Sequence, residues 1–162
     1  MNTNADILRG LLLGRSVAAL ATLHEGRPFA SMVPFAVLVS AGRLRLVTHV
    51  SGLSAHTRDM RSHPGVCLLV TAAESPGVPP QALARVSIEA TSEFVGPGHP
   101  DHDIVKAAYL DKFPDVAELF QLGDFSLVAF EPTSVRLIAG FGRALTLTPE
   151  SLASAIAAER RA

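Results

Sequence analysis

Cysteine is nearly missing from this chain: Cys67 is the single one among 162 residues, and tryptophan is absent altogether. One cysteine excludes an intrachain disulfide, and its place in the apolar run "VCLLV" reads as a small core side chain in a reducing, cytoplasmic setting. Charge is scarce as well. Fourteen basic and 15 acidic residues leave a net charge of -1, and no basic block exceeds the pair Arg160 and Arg161. Nucleic acid demands a concentrated positive surface, so it is excluded as an expected partner. No apolar run approaches the roughly 18 residues of a membrane-spanning helix, and no membrane partner is expected. The opening "MNTNADILRGLLLGRS" carries Asp6 and no basic leader, so it fits a secretory leader poorly and reads as a helix over 1–14 packed on the domain. Phosphate-binding loop, dinucleotide fingerprint and nucleophilic triad are all lacking.

Apolar residues, in contrast, are abundant: 48% of the chain, with a mean hydropathy of +0.32. Large exposed apolar patches are rare on monomers, so the surplus predicts burial against a second copy, that is, a homodimer. The length fits one domain, 1–162.

Short strand-like stretches follow one another, separated by turn signals: "SVAALATLH", the turn "EGRP", "FASMVPFAVLV", the turn "SAG", then "RLRLVTH", in which Leu44, Leu46 and Thr48 alternate with Arg43, Arg45 and Val47. Pro34 removes a ladder donor and predicts an edge or bulge there. "LSAHTRDMRSH" reads as a short helix stopped by Pro64, "GVCLLVTA" as a buried strand, and "LARVSIEATSEFV" as a strand with Val86, Ile88 and Ala90 on one face and Arg85, Ser87 and Glu89 on the other. "IVKAAYLDKFPDVAELFQL" predicts two helices split at Pro114, and "FSLVAFEPTSVRLIAGFGRAL" two strands around "EPTS". A last helix over 149–162 has Thr148 as its N-cap and Pro149 at its first position. Consecutive strands with peripheral helices favour a mainly β, α+β fold closed as a small barrel over a doubly wound sheet.

One stretch, "THVSGLSAHTRDM", gathers hydroxyls, two histidines and an arginine where a strand hands over to a helix. Such groups stabilise a phosphate: Ser51, Ser54 and Thr57 as hydroxyl donors, His56 or Arg58 as the cation. A plainer use is also open, with a serine capping the helix, His56 packed and Arg58 solvated. The cluster "HPDHD" looks like a metal site, but its proline and its position at a helix start make it an ordinary helix entrance, and no metal is expected.

Taken in order, "GRPFASMVPFA", "HVSGLSAHTRDM", "GVCLLV", "LARVSIEA", "LGDFSLVAFEP" and "IAGFGRA" resemble the split-barrel flavin-binding family of the pyridoxamine 5′-phosphate oxidases, most closely its haem-utilisation branch. The resemblance implies a six-stranded antiparallel split β-barrel, homodimeric, with FMN at the subunit interface. It implies that Ser31, Met32, Val33 and Pro34 line the flavin ring, that Arg85 lies near its polar edge, and that His49 donates to flavin or ligates iron. It places Asp124 and Arg143 on the second subunit's side of the site. The oxidases proper carry cations where this chain has Ser31, Ala36, Leu53 and Ser54, so oxidation of pyridoxamine phosphate itself is not expected. The expected function is an FMN-binding oxidoreductase of unspecified small-molecule substrate. A haem-binding or haem-degrading protein on the same fold and a cofactor-free binding module are the alternatives.

Overall fold

The structure is a computed structural model that describes residues 3–158. The ends of the two expected terminal helices, residues 1–2 and 159–162, lie outside the described residues. Helix α1 spans Asn4–Leu12. Thr3 accepts from the Asp6 amide while the Asp6 carboxylate accepts from the Thr3 amide, a reciprocal cap that satisfies two helix-end donors. Leu8, Leu11 and Leu12 form its buried face.

Strands β1 (Val17–His24), β2 (Arg27–Pro34), β3 (Ala36–Ser40) and β4 (Arg43–Ser51) follow, then helix α2 (Ala55–Ser62) and strand β5 (Gly65–Thr71). Strand β6 (Arg85–Phe94), helix α3 (His102–Lys112), a 3-10 segment Pro114–Gln121, strands β7 (Phe125–Ile138) and β8 (Ala144–Leu147), and helix α4 (Pro149–Ala157) complete the chain. The last helix begins as expected, with the Thr148 side chain accepting from the Ser151 amide.

All strand pairings are antiparallel, in the order β2-β1-β5-β6-β7-β4-β3, with β8 added beside β7. The path starts in β2 and ends in β3, two strands separated in the chain by Phe35 alone. The sheet must therefore curl until its two ends meet, and closure is covalent there. Phe35, fully buried, donates its amide to the Ser16 carbonyl at 3.0 Å, and the Thr48 hydroxyl donates to the Pro34 carbonyl at 2.7 Å. Pro34 ends an edge strand, where a missing amide costs no ladder bond.

Three expectations change. The sheet has eight strands, not six. The stretch around "EPTS" is one 14-residue strand, because a bulge opposite Glu89 and Ala90 absorbs Thr133 and lets Pro132 sit in the ladder without breaking it. After Pro114 the backbone winds as a 3-10 segment and not as a second α-helix.

The long β7 is the spine: β6 covers one edge along its length, while the other edge pairs first with β4 and then with β8. Alternation places Ala18, Leu20, Val66, Leu68, Val86 and Ile88 inside with helices α1 and α4, and leaves Val17, Ala19, Ala21, Leu23 and Leu69 outside. Cys67 belongs to the outward set and is half-buried; the strand period turns it away from the core it was expected to join. Strand β4 is buried on both faces, because α3 and the 3-10 segment cover its outer side through Val47, Val105, Tyr109, Leu127 and Ala129. Arg45 survives burial there by pairing with Asp101 at 2.8 Å. Among the described residues no helix is long and apolar enough to cross a membrane.

Candidate functional site

The stretch "THVSGLSAHTRDM" is where the sequence concentrates donors, and the structure shows where those donors go. The Ser51 hydroxyl donates to the Asp124 carboxylate at 2.9 Å and accepts from the Leu53 amide at 3.1 Å. The Gly52 amide donates to the Asp124 carbonyl, and a side chain at Gly52 would stand 3.0 Å from that oxygen. The close approach Gly52 permits is thus to Asp124. Thr57, fully buried, donates its hydroxyl to the Ser51 carbonyl at 2.7 Å, and Arg58 Nη1 donates to the Leu53 carbonyl at 2.8 Å. Ser54 occupies the N-cap position of α2 without a side-chain cap bond. His56 is half-buried, and burial lowers its pKa against the opposing pull of Asp59. The segment is therefore tied to itself and to Asp124.

The other expected residues lie elsewhere. On β2, Val33 is core, Met32 faces outward at 64% exposure, Pro34 ends the strand, and Ser31 points inward across from Leu20 with its hydroxyl oxygen buried and unpartnered. Arg85 donates to the carbonyls of Leu83 and Gln81, at 3.0 and 3.4 Å, and so ties down the loop before its own strand. Arg143 donates to the Asn4 side chain. In "HPDHD", His99 meets Glu93, Asp101 meets Arg45, and His102 meets the Val95 carbonyl.

His49 is the expected residue with the most unusual surroundings. It is 7% exposed, stacks face to face on Phe120 with ring centroids 3.9 Å apart, touches the Tyr109 and Phe125 rings, and has no partner at Nδ1. Burial, with Lys106 adding to it, pulls its pKa from 6.5 to about 4. The unfolded chain then binds a proton that the folded chain refuses. Stability is full above pH 6.5 and falls as pH drops towards 4, by up to about 3 kcal/mol. Urea unfolding between pH 7.5 and 4.5 is expected to show that slope flattened in His49→Gln; equal slopes would remove His49 as its source.

A cluster that sequence reasoning missed lies between α2 and β1. Asp59, 5% exposed, accepts from the Thr22 hydroxyl at 2.8 Å and from His24 Nδ1 at 2.8 Å. Burial alone would raise its pKa; the hydrogen bonds from His24 and Thr22 outweigh it and hold the carboxyl below its usual value. His24, fixed through Nδ1, borders an open pocket of about 390 Å³ shared with Arg58 and His63. An aspartate on the buried face of a short helix was the available signal, but its partners lie 35 and 37 residues away.

Comparison with known proteins gives a consistent setting. Residues 6–139 match the family model described as pyridoxamine 5′-phosphate oxidase. The chloroplastic non-canonical haem oxygenase HOZ of Arabidopsis thaliana is 30% identical over 138 residues, which cover 85% of this chain and 40% of that protein. The chain thus spans well under half the length of that curated relative. The structure of a haem-binding protein from Mycobacterium smegmatis superposes with a TM-score of 0.81 at 28% identity, covering 95% of this chain and 61% of the other. HutZ, the haem storage protein of Vibrio cholerae, shares the fold with a TM-score of 0.70 at 24% identity, over 82% of this chain and 91% of its own.

Proposed function

The chain belongs to the pyridoxamine 5′-phosphate oxidase family, and on that premise we propose that it binds haem, as a storing or degrading protein, in preference to FMN. The observation that carries this reading is Asp124 on Ser51. A flavin phosphate with close to two negative charges needs free donors and cations. Here the Ser51, Gly52 and Thr57 donors are engaged within the chain, and a carboxylate stands among them. Of the four positions where the oxidases carry cations, Ala36 is 1% exposed within the outer apolar cluster, leaving no room for a long basic side chain. Each charge-assisted hydrogen bond is worth about 1.5–3 kcal/mol, so losing two weakens binding about 100-fold or more.

Haem asks for apolar contact, cations for its propionates and, commonly, an imidazole for iron. Leu53, 79% exposed, offers apolar surface beside the Arg58 guanidinium. His24, with Nδ1 held by Asp59, presents a fixed tautomer whose Nε2 is left to ligate, the usual second-sphere arrangement of a metal-bound histidine. These residues would hold the group; bound, it would supply iron redox chemistry, while Asp59 fixes the imidazole and Arg58 offsets carboxylate charge. The homodimer belongs to the same reading, through the outward apolar face of β1, β2 and β5.

Absorption titration tests the choice. Hemin is expected to give a Soret band near 400 nm with a Kd of about 10 µM or tighter, altered in His24→Ala, and FMN to bind about 100-fold more weakly. Submicromolar FMN binding without a Soret change on hemin addition would reverse it.

A further inference from the structure

A partly open corner of the molecule, on the outer side of β4, has no place in the haem reading. Between β4, α2, α3, the 3-10 segment and the start of β7 lies a cavity of about 370 Å³. Its walls are aromatic: Phe94, Phe120 and Phe125, with His49 stacked on Phe120. Two cations border it. The Arg61 guanidinium lies 4.0 Å over the Phe94 ring and reaches the Ser126 hydroxyl, and Lys106 Nζ lies 5.0 Å over Phe120. No acidic side chain lines the cavity, and among the described residues neither cation forms an ion pair with a carboxylate.

In a chain of net charge -1, two cations held over aromatic rings around one cavity, with no acid to answer them, are a local excess. His49 adds a polar atom that is buried without a partner, the kind of group a native structure usually satisfies. The volume lies at the small end of the roughly 300–1,000 Å³ range of ligand pockets and suits one or two rings.

We propose that this cavity is a binding site for a one- or two-ring aromatic carboxylate, its ring stacked among Phe94, Phe120 and Phe125 and its carboxylate held by Arg61 and Lys106. The aromatic walls supply area and ring contact, and the two cations select an acid over a neutral ring of the same shape. A neutral His49 completes the floor without adding charge. The site is separate from the residues argued to hold haem: His24, Leu53 and Arg58 do not line it.

Calorimetric titration with 2-naphthoate, and with 2-naphthylmethanol as its uncharged counterpart, tests the proposal. Naphthoate is expected to bind at tens to hundreds of micromolar, about tenfold or more tighter than the alcohol. Lys106→Gln and Arg61→Gln should each weaken naphthoate at least about fivefold and leave the alcohol unchanged. Arg61 is exposed and Lys106 half-buried, so the variants should fold, which melting curves check. The ring signals of His49 in wild-type protein, followed by NMR, give an independent readout and should shift with naphthoate and not with acetate. No binding of naphthoate at millimolar concentration, an unmoved His49, or equal affinity in both charge variants overturns the site. Hemin-loaded protein should bind naphthoate as the free protein does, so failure of the haem reading leaves this result standing.

Discussion

Asp59→Ala is expected to lower the unfolding free energy by about 3 kcal/mol or more. Asp59 is 5% exposed and takes two hydrogen bonds of 2.8 Å, from Thr22 and from His24. Truncation removes both and leaves the Thr22 hydroxyl, itself 4% exposed, without its acceptor inside the barrel wall. An unsatisfied buried hydroxyl alone costs about 1–3 kcal/mol, and the lost hydrogen bond from the partly exposed His24 to the carboxylate adds about 1.5–3. The cost falls on the junction of α2 with β1, which this carboxylate bridges. Asp59→Asn keeps an acceptor for Thr22 and should lose about half as much. Because the folded carboxyl titrates below its unfolded value of 3.8, its contribution is complete above that pH and disappears on further acidification. Urea denaturation at pH 7 decides the matter: a loss below about 1 kcal/mol would show that the bridge is incidental. The same variant frees the His24 imidazole to rotate, so a hemin Soret band that depends on His24 should broaden or shift in it.

Much of the fold was legible because strand periodicity is a local property. Val86, Ile88 and Ala90 could be assigned to one face from alternation alone, and Thr148 followed by Pro149 announced the last helix. What periodicity hides is what covers the other face. Alternation set Arg45 beside Arg43 and Val47 and said nothing of what lies over them, yet α3 and the 3-10 segment arrive from some 55 to 75 residues downstream and bury Arg45 and His49. The continuity of β7 was obscured by Pro132, since a bulge that rescues a proline has no signature on its own strand. At the candidate site the residue types were readable and their engagements were not. Ser51 and Thr57 looked like free donors because the acceptors that occupy them, Asp124 and the Ser51 carbonyl, are set by the tertiary fold. His24 was passed over for the same reason: only the packing of α2 on β1 puts a buried carboxylate against it.

Leu69→Asp is expected to turn a dimer into a folded monomer. The ladder register aligns Met32, Ala19 and Leu69 in one row across β2, β1 and β5, and Ala30, Ala21 and Cys67 in the next. Pro28 and Leu23 extend the patch on one side and Pro34 and Val17 on the other. On β2, β1 and β5 no charged side chain stands in these rows, Glu89 of β6 bordering the patch beside Cys67, and Val17, Leu23, Met32 and Leu69 are 36–64% exposed on the isolated chain. A flat apolar face of small and branched residues, on the strands that end the sheet path, suits a self-complementary interface of about 2,000 Å² or more. In a twofold interface one substitution acts twice. Burying an unpaired carboxylate costs at least about 2 kcal/mol per subunit, so the dimer weakens by roughly a thousandfold. Leu69 points away from the core, so its replacement should leave the melting temperature of the monomer nearly unmoved. Sedimentation at about 10 µM is expected to give twice the 17.1 kDa chain mass for the wild type and the single mass for Leu69→Asp. A wild-type chain that sediments as a monomer would leave the outer face without its second copy, and with it any cofactor site that two copies build together.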